Sequence, residues 1–266
     1  MTTTGITITC AALALLGGCN AEPDRTIVPA AAPGASQPTR YQSAVDRSDR
    51  SAADRSRDAN RKPAEVLAFY GIEPGMSVLD MFSGGGYYTE LLSRIVGPQG
   101  RVVAHSNRAY ADSVGDEIAL RYGNNRLSNV EMLMAENNEL DLPAAGFDAI
   151  MMILAYHDIY YVAPENGWPK INGPKLLAEL YEGLKPGGIL AVVDHAANPG
   201  SPRETGNTLH RIDPQIVIAE LQAAGFVLEG ESDVLHNPSD DRNLPMADPR
   251  VRGTTDRFVL RFRKPR

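Results

Sequence analysis

From residue 63 onward, short apolar runs alternate with amphipathic stretches, and this alternation limits the fold more than any other feature of the chain. The runs at 76–82, 101–105, 130–134, 147–154, 189–194, 226–234 and 258–263 read as strands, and the stretches at 64–70, 87–96, 110–122, 174–184 and 213–225 as helices. The punctuation agrees. Gly97-Pro98 stops one helix, Pro174 takes the first helical position after Asn172-Gly173, and Asp213-Pro214 opens another helix in N-cap fashion. The strongly apolar run at 147–154 suits a strand buried on both faces. Strands that alternate with helices build a parallel sheet with right-handed crossovers. No helix separates the last two runs, so the final strand is expected to enter antiparallel. Ligands in such sheets gather beyond the carboxyl ends of the strands, which makes the residues just after each strand the ones to read for chemistry.

Charge divides the chain. The net charge is −7, from 26 Lys and Arg against 33 Asp and Glu, which argues against a nucleic-acid partner. Residues 1–39 carry −1 and residues 40–62 a local +3 in an alternating Arg/Asp pattern, leaving −9 for residues 63–266. The alternation reads as a solvated helix at 46–62, held by acid–Arg pairs. Cys10 and Cys19 are too few for a disulfide framework or a Cys-rich zinc site. The apolar stretch at 6–16 has the length of a signal-peptide core and is too short to span a bilayer. It ends in Leu16-Gly17-Gly18-Cys19, which resembles a bacterial lipobox, although no Lys or Arg precedes it. The resemblance implies a leader at 1–18, lipidation of Cys19, and a protein anchored to a membrane on the periplasmic side. The Ala/Pro-rich stretch at 19–45 reads as a flexible tether.

The segment VLDMFSGGGYYTELL places Asp80 in the end of the first strand and Gly84-Gly85-Gly86 before the first helix. Glycines there let backbone N–H groups approach a ligand, but the dinucleotide spacing G-x-G-x-x-G is absent. With LPAAGFDAIMM and LKPGGILAVVD leading into the fourth and fifth strands, the segment resembles the class I S-adenosylmethionine-dependent methyltransferases, over residues 63–266. More narrowly, RKPAEVLAFYGIEPGMSVLD, LAYHD, VVDHAA, TLHRIDP and TDRFVLRFRKP are similar to a group of secreted or lipid-anchored predicted methyltransferases. The resemblance implies a Rossmann-like α/β fold with a seven-stranded, mostly parallel sheet, helices on both faces, and S-adenosylmethionine as cofactor. It implies that Asp80 approaches the methionine end of the donor, that Gly84, Gly85 and Gly86 line it, and that Glu136 meets the adenine, with Asn137 beside it. Two positions depart from the family pattern. Phe82 stands where the first glycine is common, and no acid follows the second strand, so Ser106 and Asn107 are left to bond the ribose.

Histidines gather after the strands. His157 and Asp158 follow the fourth strand, Asp194 and His195 close the fifth, and His210 precedes a helix. A histidine there can take a proton from an attacking nucleophile. We assign His157 as the expected base, Asp158 or Asp194 as its orienting group, and His195 or His210 as its assistant. Asp213 reads as an N-cap, and His105 and His236 as surface or satisfied polar residues. Residues 160–173, with Trp168, read as a lid. The expected function is methyl transfer to a small-molecule acceptor. Two alternatives stay open: a metal-assisted hydrolase or lyase on the same scaffold, with a divalent ion held among His157, Asp158, Asp194, His195 and His210, which lacks support from any tight spacing such as H-x-x-x-H, and a non-catalytic ligand-binding lipoprotein.

Overall fold

A computed structural model of the chain describes residues 1–2 and 39–266. Nearly all of the leader, Cys19 and most of the tether stretch lie outside the described residues. Among the described residues no helix is long and apolar enough to cross a membrane.

The elements are α1 (Thr39–Val45), α2 (Ala52–Arg61), α3 (Pro63–Tyr70), β1 (Ser77–Met81), α4 (Tyr87–Val96), β2 (Arg101–Ser106), α5 (Arg108–Ser113), α6 (Gly115–Tyr122), β3 (Val130–Met134), β4 (Phe147–Ile153), α7 (Gly173–Gly183), β5 (Leu184–His195), α8 (Thr205–Leu209), α9 (Pro214–Ala223), β6 (Val227–Ser232) and β7 (Arg257–Arg263). The strands form one seven-stranded sheet in the order β3-β2-β1-β4-β5-β7-β6. β1 to β5 pair in parallel, and β7 lies antiparallel between β5 and β6. This is the mostly parallel, helix-covered sheet expected from the sequence.

Period-two alternation divides the core between the two faces of the sheet. Leu79, Ile150, Leu190, Val192 and Phe262 pack on one side with α7 and α9. Val78, Met151, Ala191 and Val193 pack on the other with α1, α3 and α4. Asp80 shares the Val78 face, which turns its carboxylate toward α4.

Three local differences have physical reasons. The expected helix at 110–122 is two helices, broken at Val114, whose φ of −128° is not helical. β5 starts at Leu184, before the Lys185-Pro186-Gly187-Gly188 turn, which the sheet accommodates as an irregularity in the β4–β5 register. The third difference is the N-terminal one. Residues 39–45, expected within the tether, form α1, and Tyr41, Ala44 and Val45 are buried. The Arg/Asp stretch is not a solvated face either. Arg50 is buried and makes a bidentate pair with Asp58 at 2.7 and 2.8 Å. Asp54 is also buried, and it meets Arg57 and, at 2.8 Å, Arg121 of α6. Arg121 and Arg126 both reach the buried Glu90 of α4, at 2.5 Å each. α2 is thus clamped onto α4 and α6. Ser51 caps its start by accepting from the Asp54 N–H at 3.0 Å. Lys62 ends it in the left-handed region, directly before Pro63 opens α3.

Candidate active site

At the carboxyl end of β1 the chain turns sharply. Phe82 has φ +55°, a region L side chains avoid, and Gly84 and Gly86 follow at +56° and +78°. His105 secures the turn from β2. Its carbonyl accepts from the Ser83 N–H at 2.9 Å and the Ser83 hydroxyl at 3.0 Å. Its Nδ1 faces the Phe82 N–H at 3.5 Å, and its Nε2 lies 3.0 Å from the Ala135 carbonyl. That carbonyl can only accept, so the ring proton sits on Nε2. Burial lowers the pKa of His105 to about 4, which keeps the ring neutral. The residue is therefore a satisfied polar group, buried rather than at the surface.

The glycine turn floors a cavity of about 170 Å³. Asp80, Gly84 and Gly85 form its base, Tyr110 and Glu117 one wall, and Ile153 with Leu154, from the end of β4, another. Arg57 and Arg61 of α2 form the roof. A side chain at Gly85 would run into the Glu117 carboxylate, whereas one at Gly84 would only touch the Tyr110 ring at 3.6 Å, and there it is the φ of +56° that favours glycine. Asp80 accepts from the Thr89 hydroxyl at 2.6 Å, yet burial outweighs that bond and raises its pKa to about 6. The guanidinium groups of Arg57 and Arg61 lie 5.1 and 4.6 Å from the Tyr87 ring centroid. Arg57 has a buried Nε without a partner, and among the described residues no carboxylate pairs with Arg61. Sequence reasoning missed both arginines, because their alternating pattern is the same as that of a solvated helix.

The other residues expected to hold a cofactor form a second group beside the cavity. Ser106 and Asn107 are buried at the end of β2. The Ser106 hydroxyl donates to the Asn107 carbonyl at 3.2 Å, and Asn107 Oδ1 caps α5 by accepting from the Tyr110 N–H at 2.8 Å. Glu136 is half-buried and accepts from the Arg108 N–H at 3.3 Å. Trp168, from the expected lid, stacks on Phe82 with centroids 6.0 Å apart and meets Tyr110 edge-on. Three buried polar atoms here have no partner: Asn107 Nδ2, Asn137 Oδ1 and Trp168 Nε1. Two donors and one acceptor left open beside a glycine cradle fit the polar edges of an adenosine, with the cationic roof placed for a carboxylate.

The histidines expected at the strand ends do come together. Buried Asp194 accepts from His157 Nδ1 at 2.8 Å and, through its second oxygen, from the His157 N–H at 2.7 Å. His157 Nε2 is 3.3 Å from Asp158, and His210 Nδ1 is 3.7 Å from the same carboxylate oxygen. Burial alone would lower the pKa of His157, but Asp194 and Asp158 overcome it and raise it to about 9. The ring expected to act as base therefore already holds its proton at neutral pH, in an ion pair. His195 turns away, with Nδ1 2.6 Å from the Thr255 hydroxyl, and burial and the neighbouring His157 hold its pKa well below the usual histidine range. Asp213 is the expected N-cap, accepting from the Gln215 N–H at 2.9 Å. Tyr156 donates to Glu220 at 2.9 Å, and Tyr160 bonds the same carboxylate, so these two pack the lid rather than line a cavity. Tyr110 links the two regions: it walls the cavity, and Asp158 and Asp194 add to the effect of burial in raising its pKa.

This geometry has relatives. The family model described as protein-L-isoaspartate(D-aspartate) O-methyltransferase matches residues 46–162. The ubiquinone/menaquinone biosynthesis C-methyltransferase UbiE of Hahella chejuensis is 30% identical over 132 residues, 50% of this chain and 47% of that protein. The chain thus spans about half the length of the curated relatives it matches. Among solved structures, an S-adenosylmethionine-dependent methyltransferase from Aquifex aeolicus aligns with TM-score 0.54 and 25% identity, over 85% of this chain and 98% of that one. These matches support a class I S-adenosylmethionine-dependent methyltransferase. A third neighbour, the [4+2]-cyclase SpnF, shares the fold alone, at 20% identity and TM-score 0.51 over 83% of this chain and 85% of that one. S-adenosylmethionine is the cofactor of the methyltransferase family. The unpartnered polar atoms at 107, 137 and 168, with the glycine turn and Asp80, are chemically compatible with such a cofactor.

Proposed function

We propose that the protein transfers a methyl group from S-adenosylmethionine to a small-molecule acceptor. The observation that carries this reading is the cavity over Gly84 and Gly85, with Asp80 at its base and an arginine pair above. Bound there, the donor would supply an activated methyl group on a sulfonium. The residues of this chain do the rest. Gly84 and Gly85 present backbone at short range, and Asp80 faces the cationic end. Arg57 and Arg61 meet the carboxylate, while Ser106, Asn107, Glu136 and Asn137 hold the nucleoside half. The cavity of about 170 Å³ is smaller than typical small-molecule sites of roughly 300–1,000 Å³, so Tyr110 and Trp168 yield part of their space to the nucleoside. We place the acceptor beyond β4 and β5, where His157, Asp158, Asp194, His195 and His210 supply polar and charged groups to orient it. The −9 charge of residues 63–266 disfavours a polyanionic acceptor.

Calorimetry with S-adenosylhomocysteine tests the donor site. Saturable binding is expected, weakened about tenfold or more in Arg61→Gln, since a charge-assisted hydrogen bond contributes about 1.5–3 kcal/mol. No binding at millimolar ligand rejects the reading. We further propose that lipidated Cys19 anchors the protein to a membrane on the periplasmic side, a reading supported by the Leu16-Gly17-Gly18-Cys19 sequence. Cys19→Ala is expected to move the protein from the membrane to the soluble fraction; retention in the membrane refutes the anchor.

A further inference from the structure

We propose that His157, Asp158 and His210 form a binding site for a divalent first-row transition ion of the zinc type, with Asp194 positioning His157. One ligand atom from each of the three lies within 4.8 Å of the others. The individual spacings are informative. His157 Nε2 and Asp158 Oδ1 are 3.3 Å apart, and Asp158 Oδ1 and His210 Nδ1 are 3.7 Å apart. A tetrahedral ion with bonds of about 2.0–2.1 Å sets neighbouring ligand atoms about 3.3 Å from each other. Two of the three spacings are therefore close to the edges of such a polyhedron, and the third is no longer than 4.8 Å.

Independent features of the surroundings point the same way. Asp194 holds His157 by both its ring Nδ1 and its backbone N–H, which aims Nε2 into the cluster. A carboxylate behind a ligating histidine is the usual outer partner of a metal site, because it fixes the ring and strengthens its donor nitrogen. The third ligand is delivered by a backbone in an unfavourable conformation. His210 has φ +50°, just beyond α8, and such strain in a non-glycine residue persists where the surroundings require it. α8 itself approaches the His157 turn because residue 206 is glycine; a Cβ there would lie 2.7 Å from the His157 carbonyl oxygen. Imidazole and carboxylate ligands suit zinc, iron or nickel better than magnesium or calcium, which take oxygen donors. With the ion taking the place of the His157 Nε2 proton, two histidines and one carboxylate leave a fourth position open, as in metal sites that bind a reactant rather than those that only brace a fold. The His210 side chain is 31% exposed, so that position has access from solvent.

The comparable pair elsewhere, His236 with Asp256, offers no such vacancy. Arg242 already neutralises Asp256 at 2.7 Å, and His236 brings no second carboxylate. The ligands of the proposed site come from two segments about fifty residues apart, 157–158 and 210, and so carry no spacing signature in the sequence.

The site stands apart from the donor cavity, and its test needs no methyl donor. The full chain, stripped with a chelator and dialysed, is titrated with Zn²⁺ and, as a spectroscopic probe, with Co²⁺. One ion per chain is expected, with the intense visible bands of four-coordinate cobalt. His210→Asn keeps a residue that tolerates the left-handed backbone, and Asp158→Asn keeps the shape of the carboxylate. Each is expected to weaken binding at least tenfold, and Asp194→Asn, which leaves all three ligands in place, by about 10–100-fold. His236→Ala is expected to leave it unchanged. Substoichiometric binding by the wild-type chain overturns the proposal, and so does affinity unaltered in both ligand variants. If far-UV circular dichroism shows that His210→Asn has not folded, Asp158→Asn decides by the same criterion. S-adenosylhomocysteine binding on the same sample reports separately on the donor site.

Discussion

Asp80 is the residue at which burial and function meet. Its carboxyl is buried beneath the glycine turn, and its pKa is raised from 3.8 to about 6. The folded state therefore binds this proton more tightly than the unfolded chain does. Stability contributed by the protonated form is present at low pH and is lost as pH rises from about 4 through about 6. The shift is about two pH units, or about 3 kcal/mol of burden on the fold at neutral pH. A bound sulfonium and ammonium would repay the carboxylate for its lost hydration, so donor affinity is expected to fall as pH drops below about 6. Asp80→Asn is expected to flatten the pH dependence of urea unfolding, raise stability near neutral pH, and weaken S-adenosylhomocysteine binding at every pH. A variant that retains the wild-type pH profile would assign that titration to another group. Phe82, two positions on, shows what the sequence could and could not convey. The glycine turn is legible as a turn, but nothing local announces that a phenylalanine takes the left-handed φ usual for glycine. The contacts that hold it there, with His105 and Trp168, come from 23 and 86 residues away in the chain.

At the scale of elements, the clamp on α2 depends on Glu90, whose carboxylate faces Arg121 and Arg126 while Asp54 meets Arg121 from the other side. Removing one partner of a buried ion pair strands the other and costs about 3–5 kcal/mol. Glu90→Ala is expected to lower stability by that order in urea unfolding and to loosen the roof over the cavity, so that S-adenosylhomocysteine binding weakens although Glu90 does not line the site. The strands and most helices were legible because each is specified by its own periodicity and caps. The docking of α2 was not, because alternating Arg and Asp looks the same whether its partners are water or the residues at 90, 121 and 126. The early start of β5 belongs to the same class, since Leu184 pairs with Phe147 of β4. The strand-end histidines were legible as a group. The charge on His157 was not, because it follows from two carboxylates whose distances only the fold fixes.

Considered whole, the molecule places its two chemistries at one end of a single sheet, with the donor cavity over β1 and the histidine cluster over β4 and β5. The antiparallel β7 lies beside β5, with β6 at the sheet edge, and Thr255, just before β7, reaches back to His195. Residues 39–62 are part of this body. A chain starting at residue 39 is expected to fold and bind S-adenosylhomocysteine like the full protein, whereas one starting at residue 63 is expected to lose binding, along with α1, α2 and both roof arginines. Equal affinity in the two chains would show that the roof contributes nothing.

That roof also bears on time. Arg57 and Arg61 line the cavity from one helix and Tyr110 from another, so a molecule held there would contact α2 and α5 at once. Movement of either helix would then change how long that molecule stays as well as how tightly it is held. The pace of successive turnovers would come to depend in part on helices that the chemistry itself never touches.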